Sequence, residues 1–108
     1  GVWLPGNMRP GGAGIYALGV EVPEDFKRLV PDGFEVMELP ACQMMVFQGE
    51  PYDDEIFEEA VGKCMEQIKR FNPKVYGYEW APELAPRMQL APEGWRGYIE
   101  MLPVRKIS

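Results

Sequence analysis

Residues 53–71 read DDEIFEEAVGKCMEQIKRF and carry the clearest periodic pattern in the chain. Apolar side chains recur every three or four positions, the spacing that places them on one face of an α-helix. These side chains are Ile56, Phe57, Ala60, Val61, Cys64, Met65 and Ile68. Acids crowd the first turn and two bases occupy the last, which the helix dipole favours. We therefore predict one amphipathic helix over 53–71, with Asp53 as its N-cap and Asn72 and Pro73 ending it.

Three stretches on the N-terminal side of this helix have strand composition. Residues 15–22 are rich in β-branched and aromatic side chains and end at Pro23. Residues 34–39 alternate apolar and acidic side chains, which is typical of a strand with one wet face. Residues 43–48 are more continuously apolar, which favours a central position in a sheet. The opening stretch, 1–14, concentrates Pro and Gly and predicts a loop.

Three more strands are predicted after the helix, over residues 75–80, 87–90 and 97–104. Short turns rich in Pro and Gly separate them, and connections this short join antiparallel neighbours. The chain is long enough for one domain, spanning residues 1–108. We therefore predict an α+β fold, in which an amphipathic helix packs on one face of an antiparallel β-sheet.

The overall composition excludes several kinds of site. The 108 residues include 17 acids and 11 bases, for a formal net charge of −6. Because nucleic-acid affinity rests on Lys and Arg neutralising phosphates, we expect no direct contact between this chain and nucleic acid. There is no His, and the only Ser is Ser108, which excludes Ser–His–Asp catalysis, Cys–His catalysis and zinc sites built on His. We expect no metal, no cofactor and no enzymatic activity.

The two cysteines, Cys42 and Cys64, are far apart, match no metal-binding spacing and lie among apolar residues. Buried free thiols are the simplest reading, and they indicate a reducing, cytoplasmic compartment. The apolar runs are too short for a signal peptide or a membrane span, so we expect no membrane partner.

Two acids lie inside strand segments that are otherwise aromatic and apolar. Alternate residues of a strand share a face, so Glu79 shares its face with Val75 and Gly77, and Glu100 shares its face with Tyr98. Each carboxylate either points to solvent or is buried at a cost of several kcal/mol unless a partner satisfies it. Both readings stay open for both residues.

Aromatic side chains are concentrated in the last third of the chain, where Trp80, Trp95 and Tyr98 lie, and Tyr16 is available from the first third. Aromatic faces around an inner carboxylate suit a lipophilic cation, through cation–π attraction and charge neutralisation. The alternative is structural, since any sheet favours aromatic residues.

Four segments together resemble the GyrI-like effector-binding domains: LPACQMMVFQG at 39–49, YGYEW at 76–80, APRMQL at 85–90 and GYIE at 97–100. Such domains are the ligand-sensing part of many AraC-type and MerR-type transcription regulators, and they also occur as standalone proteins. The resemblance implies a multidrug-regulator type of pocket, in which aromatic side chains surround a buried Glu and a small molecule binds. By position the buried Glu is Glu79.

The pocket aromatics that the resemblance implies are Tyr98, with Trp95 and Tyr16 as the nearest further candidates, and Trp80 and Glu100 complete the predicted ligand-binding set. The family fold has two helices, whereas one is readable here. The resemblance therefore implies a domain without its first strand and helix. Such a domain is the C-terminal portion of a longer protein or is completed by a second copy in a homodimer.

Three functions follow from the resemblance. The leading expectation is an effector-binding domain of a bacterial transcription regulator, which binds a small lipophilic or cationic molecule while a segment outside this chain contacts DNA. The second is a standalone interaction or inhibitor module that acts on a partner protein. The third is a hydrolase of electrophilic compounds that uses a pocket Glu and Tyr, and there Glu79 would act as general acid and base.

Overall fold

The computed structural model describes residues 1–8, 16–23, 29–34 and 36–107. One helix, α1 (Phe57–Arg70), packs on a six-stranded antiparallel sheet formed by these residues. The strands are β1 (Val2–Trp3), β2 (Tyr16–Ala17), β3 (Gln43–Gln48), β4 (Tyr78–Trp80), β5 (Arg87–Gln89) and β6 (Ile99–Lys106). The predicted α+β class, with one helix on an antiparallel sheet, is confirmed.

The long strand β6 organises the sheet. The strand order is β2-β1-β5-β6-β3, and β4 pairs with the C-terminal end of β6. The central position predicted for residues 43–48 is therefore wrong, because β3 pairs with β6 alone among the described strands. In agreement with this edge position, Val46 in the apolar run is 55% exposed.

The helix starts later than its pattern predicts. A 3-10 turn, Asp54–Ile56, precedes α1, and Asp53 makes no side-chain cap hydrogen bond there. The predicted end is close to the observed one: α1 ends at Arg70, and the side chain of Asn72 then accepts a hydrogen bond from the backbone N–H of Lys74.

The start of the strand predicted over 75–80 is also corrected. Pro73 begins another 3-10 turn, Pro73–Tyr76, and the residue that follows it, Gly77, has φ of +83°. That left-handed conformation suits Gly because it has no Cβ. The chain therefore becomes a strand only at Tyr78, and Val75 and Tyr76 are exposed.

The core lies between α1 and one face of the sheet. Phe47 of β3, Cys64 of α1 and Tyr98 are buried there. The rings of Phe47 and Phe71 are perpendicular with centroids 5.2 Å apart, and the centroid of the Phe47 ring lies 6.2 Å from that of Trp80. The apolar stripe of the helix thus buries itself against aromatic side chains that the strands place on one face.

Two predicted strands are largely absent from the described residues. Of residues 16–22 only Tyr16 and Ala17 form a strand, and the described part of 34–39 is irregular. Their apolar side chains are exposed, including Val20 at 87% and Phe34 at 71%. A strand forms only where a neighbouring strand is present, and among the described residues of these two stretches only Tyr16 and Ala17 have one, in β1. Residues 15 and 35 of the two predictions lie outside those residues.

A short strand occurs where the sequence predicts a loop. Residues 2–3 form β1, which pairs with β2 and with β5. The three consecutive apolar residues Val2, Trp3 and Leu4 are the signal, since Leu4 is buried and Trp3 is half-buried. Residues 9–14 of the predicted loop lie outside the described residues.

Candidate functional site

A buried carboxylate is the centre of the site. Glu100 on β6 is completely buried. The hydroxyl of Tyr98 donates a hydrogen bond of 2.7 Å to Oε1 of Glu100, and Nη2 of Arg87 donates to Oε2. Both oxygens of the carboxylate therefore have a partner, and the guanidinium compensates the buried charge.

The strand register brings these groups together. Gln89 of β5 lies directly opposite Glu100 of β6, so its side chain and that of Arg87, two residues earlier, share the face that α1 covers. Phe47 of β3 lies opposite Glu100 on the other side. The side chain of Gln89 donates to the Tyr98 hydroxyl at 3.3 Å. Tyr98 thus accepts one hydrogen bond and donates another.

A close backbone contact fixes the start of β6. Gly97 has φ of +82°, and a Cβ added there would lie 2.0 Å from the carbonyl oxygen of Gly49. The backbone N–H of Gly49 donates to the carbonyl of Tyr98 at 2.8 Å. A glycine is required because no larger residue fits this contact, and the contact sets the position of Tyr98.

Burial and charge keep two neighbours of the carboxylate neutral. Burial raises the pKa of the Tyr98 phenol well above its ordinary value, and the hydrogen bond to Glu100 and the charge of Glu100 raise it further. Burial also raises the pKa of the Cys64 thiol, with a further contribution from Glu100 and a smaller opposing one from Arg87. The cluster therefore holds one anion, Glu100, and one cation, Arg87.

An apolar cavity of about 540 Å³, broadly open to solvent, lies beside this cluster, between the last turns of α1 and the sheet. Arg87 belongs to both the buried cluster and the cavity wall, since it contacts Glu100 and also lines the cavity. Its guanidinium carbon lies 5.4 Å from the centre of the Trp3 ring. The other lining side chains include Trp3, Leu4, Ile68, Lys69, Phe71, Trp80, Ala85 and Leu102.

The structure brings three of the six predicted site residues to this region. Tyr98 and Glu100 form the buried cluster, and Trp80 lines the cavity. Tyr16 is not among the residues that line the cavity, but its ring centre lies 5.3 Å from that of Trp3, which does line it. Tyr16 is half exposed.

The other two predicted site residues lie elsewhere. Trp95 is in the 3-10 turn Gly94–Arg96, is 75% exposed and does not line the cavity. Glu79 is not the buried carboxylate that the resemblance implies: its side chain is 45% exposed and lies 3.0 Å from Nε of Arg105. The reason is the register, which places Glu79 opposite Arg105 and on the face away from Trp80.

Arg87, Lys69 and Trp3 were not predicted as site residues. Arg87 had a usable signal, because a buried Glu needs a cationic partner and Arg87 is the one base in the strand predicted over 87–90. Lys69 had no such signal in the sequence, because a base in the last turn of a helix is expected from the helix dipole alone.

Within the parts of the chain that the structure describes, no group of three or more Cys, Asp or Glu residues is arranged to hold a metal ion. In those same parts, no helix has the length and apolar content that crossing a membrane requires. Comparison of the chain with protein-family models, with curated proteins and with solved structures gave no match.

Proposed function

We propose that the chain is a small-molecule effector-binding domain of the GyrI-like kind, the sensing part of a bacterial transcription regulator. The observation that carries the proposal is the cavity of about 540 Å³, which apolar and aromatic side chains line beside one buried charge network. Its size lies within the roughly 300–1,000 Å³ of small-molecule sites, and a mostly apolar wall with a few polar groups is their usual composition.

The origin of the cavity walls supports a sensing role. Ile68 comes from the last turn of α1 and Phe71 follows that helix, while Trp3 comes from β1 and Trp80 from β4. A ligand in the cavity would contact the helix and two strands at once. It would therefore favour one spacing of helix and sheet over another, which is how a ligand shifts a two-state equilibrium.

Of the two kinds of ligand expected, a lipophilic molecule fits this cavity better than a cationic one. A cation would need Glu100 as its anchor, and both oxygens of Glu100 already accept hydrogen bonds, from Tyr98 and Arg87. A cationic ligand would have to displace the guanidinium. Hydrolysis by Glu79 is likewise unsupported, because Glu79 is paired with Arg105 and does not line the cavity.

A thermal-shift titration with naphthylethanol, a neutral aromatic probe, tests the proposal. The expected result is a saturable rise in melting temperature, because a ligand that binds only the folded state stabilises it. Trp3→Ala, which removes part of the wall, should abolish the rise. Trp95→Ala is the matched control and should leave it unchanged, since Trp95 is exposed and outside the cavity.

Melting of both variants without ligand checks that each of them folds. No rise with the wild-type chain would contradict the proposal, and so would equal losses in the two variants.

A different observation favours a second candidate function, a protein-interaction module. One form of that module is a homodimer of this chain. Leu18, Val20, Leu29 and Phe34 are each more than 70% exposed, and exposed apolar side chains mark a contact surface where they form one patch. Sedimentation equilibrium should then show an association that Leu18→Ser together with Val20→Ser weakens. A monomer at all concentrations would contradict the homodimer.

A further inference from the structure

We infer that the ligand of this cavity is an acid, with an aromatic or aliphatic body and a carboxylate group. The inference rests on the proposed function and names the ligand class for the same site. Two of the described residues that line the cavity are charged, Lys69 and Arg87, and both are cations. None of the described lining residues is acidic. The charge of the wall therefore complements an anion.

Arg87 retains capacity to bind an acceptor. Its Nη2 is shared between Glu100 and the sulfur of Met65. Its Nε is buried, so that donor is closed to a ligand. The side chain as a whole is 35% exposed and lines the cavity, so a ligand meets its exposed part. A carboxylate forms charge-assisted hydrogen bonds with exposed guanidinium donors.

Lys69 supplies the uncompensated positive charge. The neighbouring cations of α1 are paired along the helix, Lys63 with Glu59 and Arg70 with Glu66, each at 3.7 Å. Lys69 forms no ion pair with any residue that the structure describes. Because Glu100 offsets Arg87, Lys69 gives this wall a net positive charge on a chain of net charge −6.

The remaining wall selects the body of the ligand. The rings of Trp3, Phe71 and Trp80 line the cavity together with Leu102. Aromatic faces favour a flat ring system or an alkyl chain. A monocarboxylic acid with such a body would place its rings among these side chains and its carboxylate between Lys69 and Arg87.

Three probes that share one body test the inference: naphthylacetate, naphthylethanol and naphthylethylammonium, substituted at the same ring position. Isothermal titration calorimetry at neutral pH and low salt should rank the acid first and the ammonium last. We expect the acid to bind about two- to fivefold more tightly than the alcohol, the advantage that a single partly screened ion pair supports.

The matched variants are Lys69→Met and Lys63→Met, two lysines of one helix of which only Lys69 lines the cavity. Lys69→Met should remove most of the advantage of the acid over the alcohol, with Arg87 supplying what remains, and should leave the affinity for the alcohol within about twofold. Lys63→Met should change neither.

The outcomes separate this inference from the proposed function. If none of the three probes binds, the proposed function fails and this inference fails with it. If all three bind equally, or the ammonium binds best, the cavity is a ligand site but the acid class is wrong. Equal losses in the two lysine variants would also overturn the inference, because they would indicate a general charge effect.

Discussion

The substitution Arg87→Met should destabilise the fold strongly, because it leaves a buried carboxylate without its cation. Glu100 is completely buried and Arg87 is its ion-pair partner. Removing one member of a buried pair costs about 3–5 kcal/mol. Arg87 is one third exposed, so water lowers this figure, and we expect a loss of about 3 kcal/mol, at the low end of that range.

Removing both charges should restore most of this loss. In the double variant Arg87→Met, Glu100→Gln the amide oxygen can still accept from Tyr98, and no buried charge remains. We expect the double variant to lose about 1 kcal/mol, which is the net value of one hydrogen bond. If Glu100→Gln alone also costs about 1 kcal/mol, the double-mutant cycle gives a coupling free energy of roughly 3 kcal/mol between Arg87 and Glu100.

Urea unfolding followed by tryptophan fluorescence measures these differences. With a urea slope of about 1–3 kcal/mol per molar, a loss of 3 kcal/mol lowers the midpoint by roughly 1–3 M. Arg70→Met is the control, because Arg70 is 84% exposed, and it should cost less than about 0.5 kcal/mol. A cost of Arg87→Met close to that of the control, or additive single losses in the double variant, would refute the reasoning.

Three further predictions concern the residues around the carboxylate. The pKa of Tyr98 is raised in the folded state, so as the pH rises the unfolded chain loses the phenol proton first. The free energy of unfolding should therefore fall above about pH 10, and urea titrations at alkaline pH should show a smaller fall for Tyr98→Phe. With a thiol reagent under native conditions, Cys42 should react much faster than Cys64, which is buried and has a raised pKa; equal rates would show that the core opens readily. Gly97→Ala should cost more than about 2 kcal/mol in unfolding free energy, because the new methyl group meets Gly49 and φ is positive; a cost below 1 kcal/mol would contradict the described contact.

The parts of the fold that could be predicted from the sequence are those that local patterns determine. The apolar period of residues 53–71 predicts the helix and its buried face, and Cys64 lies in the middle of that face as expected. Alternation in the strand predicted over 97–104 places Tyr98 and Glu100 on one face, and in the structure the hydroxyl of Tyr98 donates to Glu100. Short connections predict that the strands after the helix are antiparallel neighbours in chain order. This is confirmed for β5 and β6 and is wrong for β4, which pairs with β6 and not with β5.

The identity of the buried carboxylate could not be predicted, because it depends on pairing between distant strands. Glu79 and Glu100 have similar neighbours along the chain. In the sheet, Glu79 lies opposite the half-exposed Arg105, whereas Glu100 lies opposite Gln89 and Phe47 beneath the helix. That difference comes from register and from helix position, and neither is encoded by residues next to either Glu.

The predicted strands over 15–22 and 34–39 illustrate the same limit. Their alternation is a local pattern, and a strand forms only where a partner strand lies beside it. Tyr16 and Ala17 have that partner in β1. Val20 and Val36 have none among the described residues, and both are exposed. The cavity wall from β1 was not predicted either, because Pro and Gly dominate residues 1–14 and outweigh the short apolar run of Val2, Trp3 and Leu4.

The three tryptophans allow the most direct test of the proposed ligand site. Nitrogen–proton correlation spectra resolve one indole N–H signal for each of them, and Trp→Phe variants assign the signals. Trp3 and Trp80 line the cavity, and Trp95 is exposed outside it. A titration with naphthylethanol should move the signals of Trp3 and Trp80 with a common saturation curve and leave that of Trp95 in place. Three unchanged signals, or a Trp95 signal that moves as far as the other two, would contradict ligand binding in this cavity.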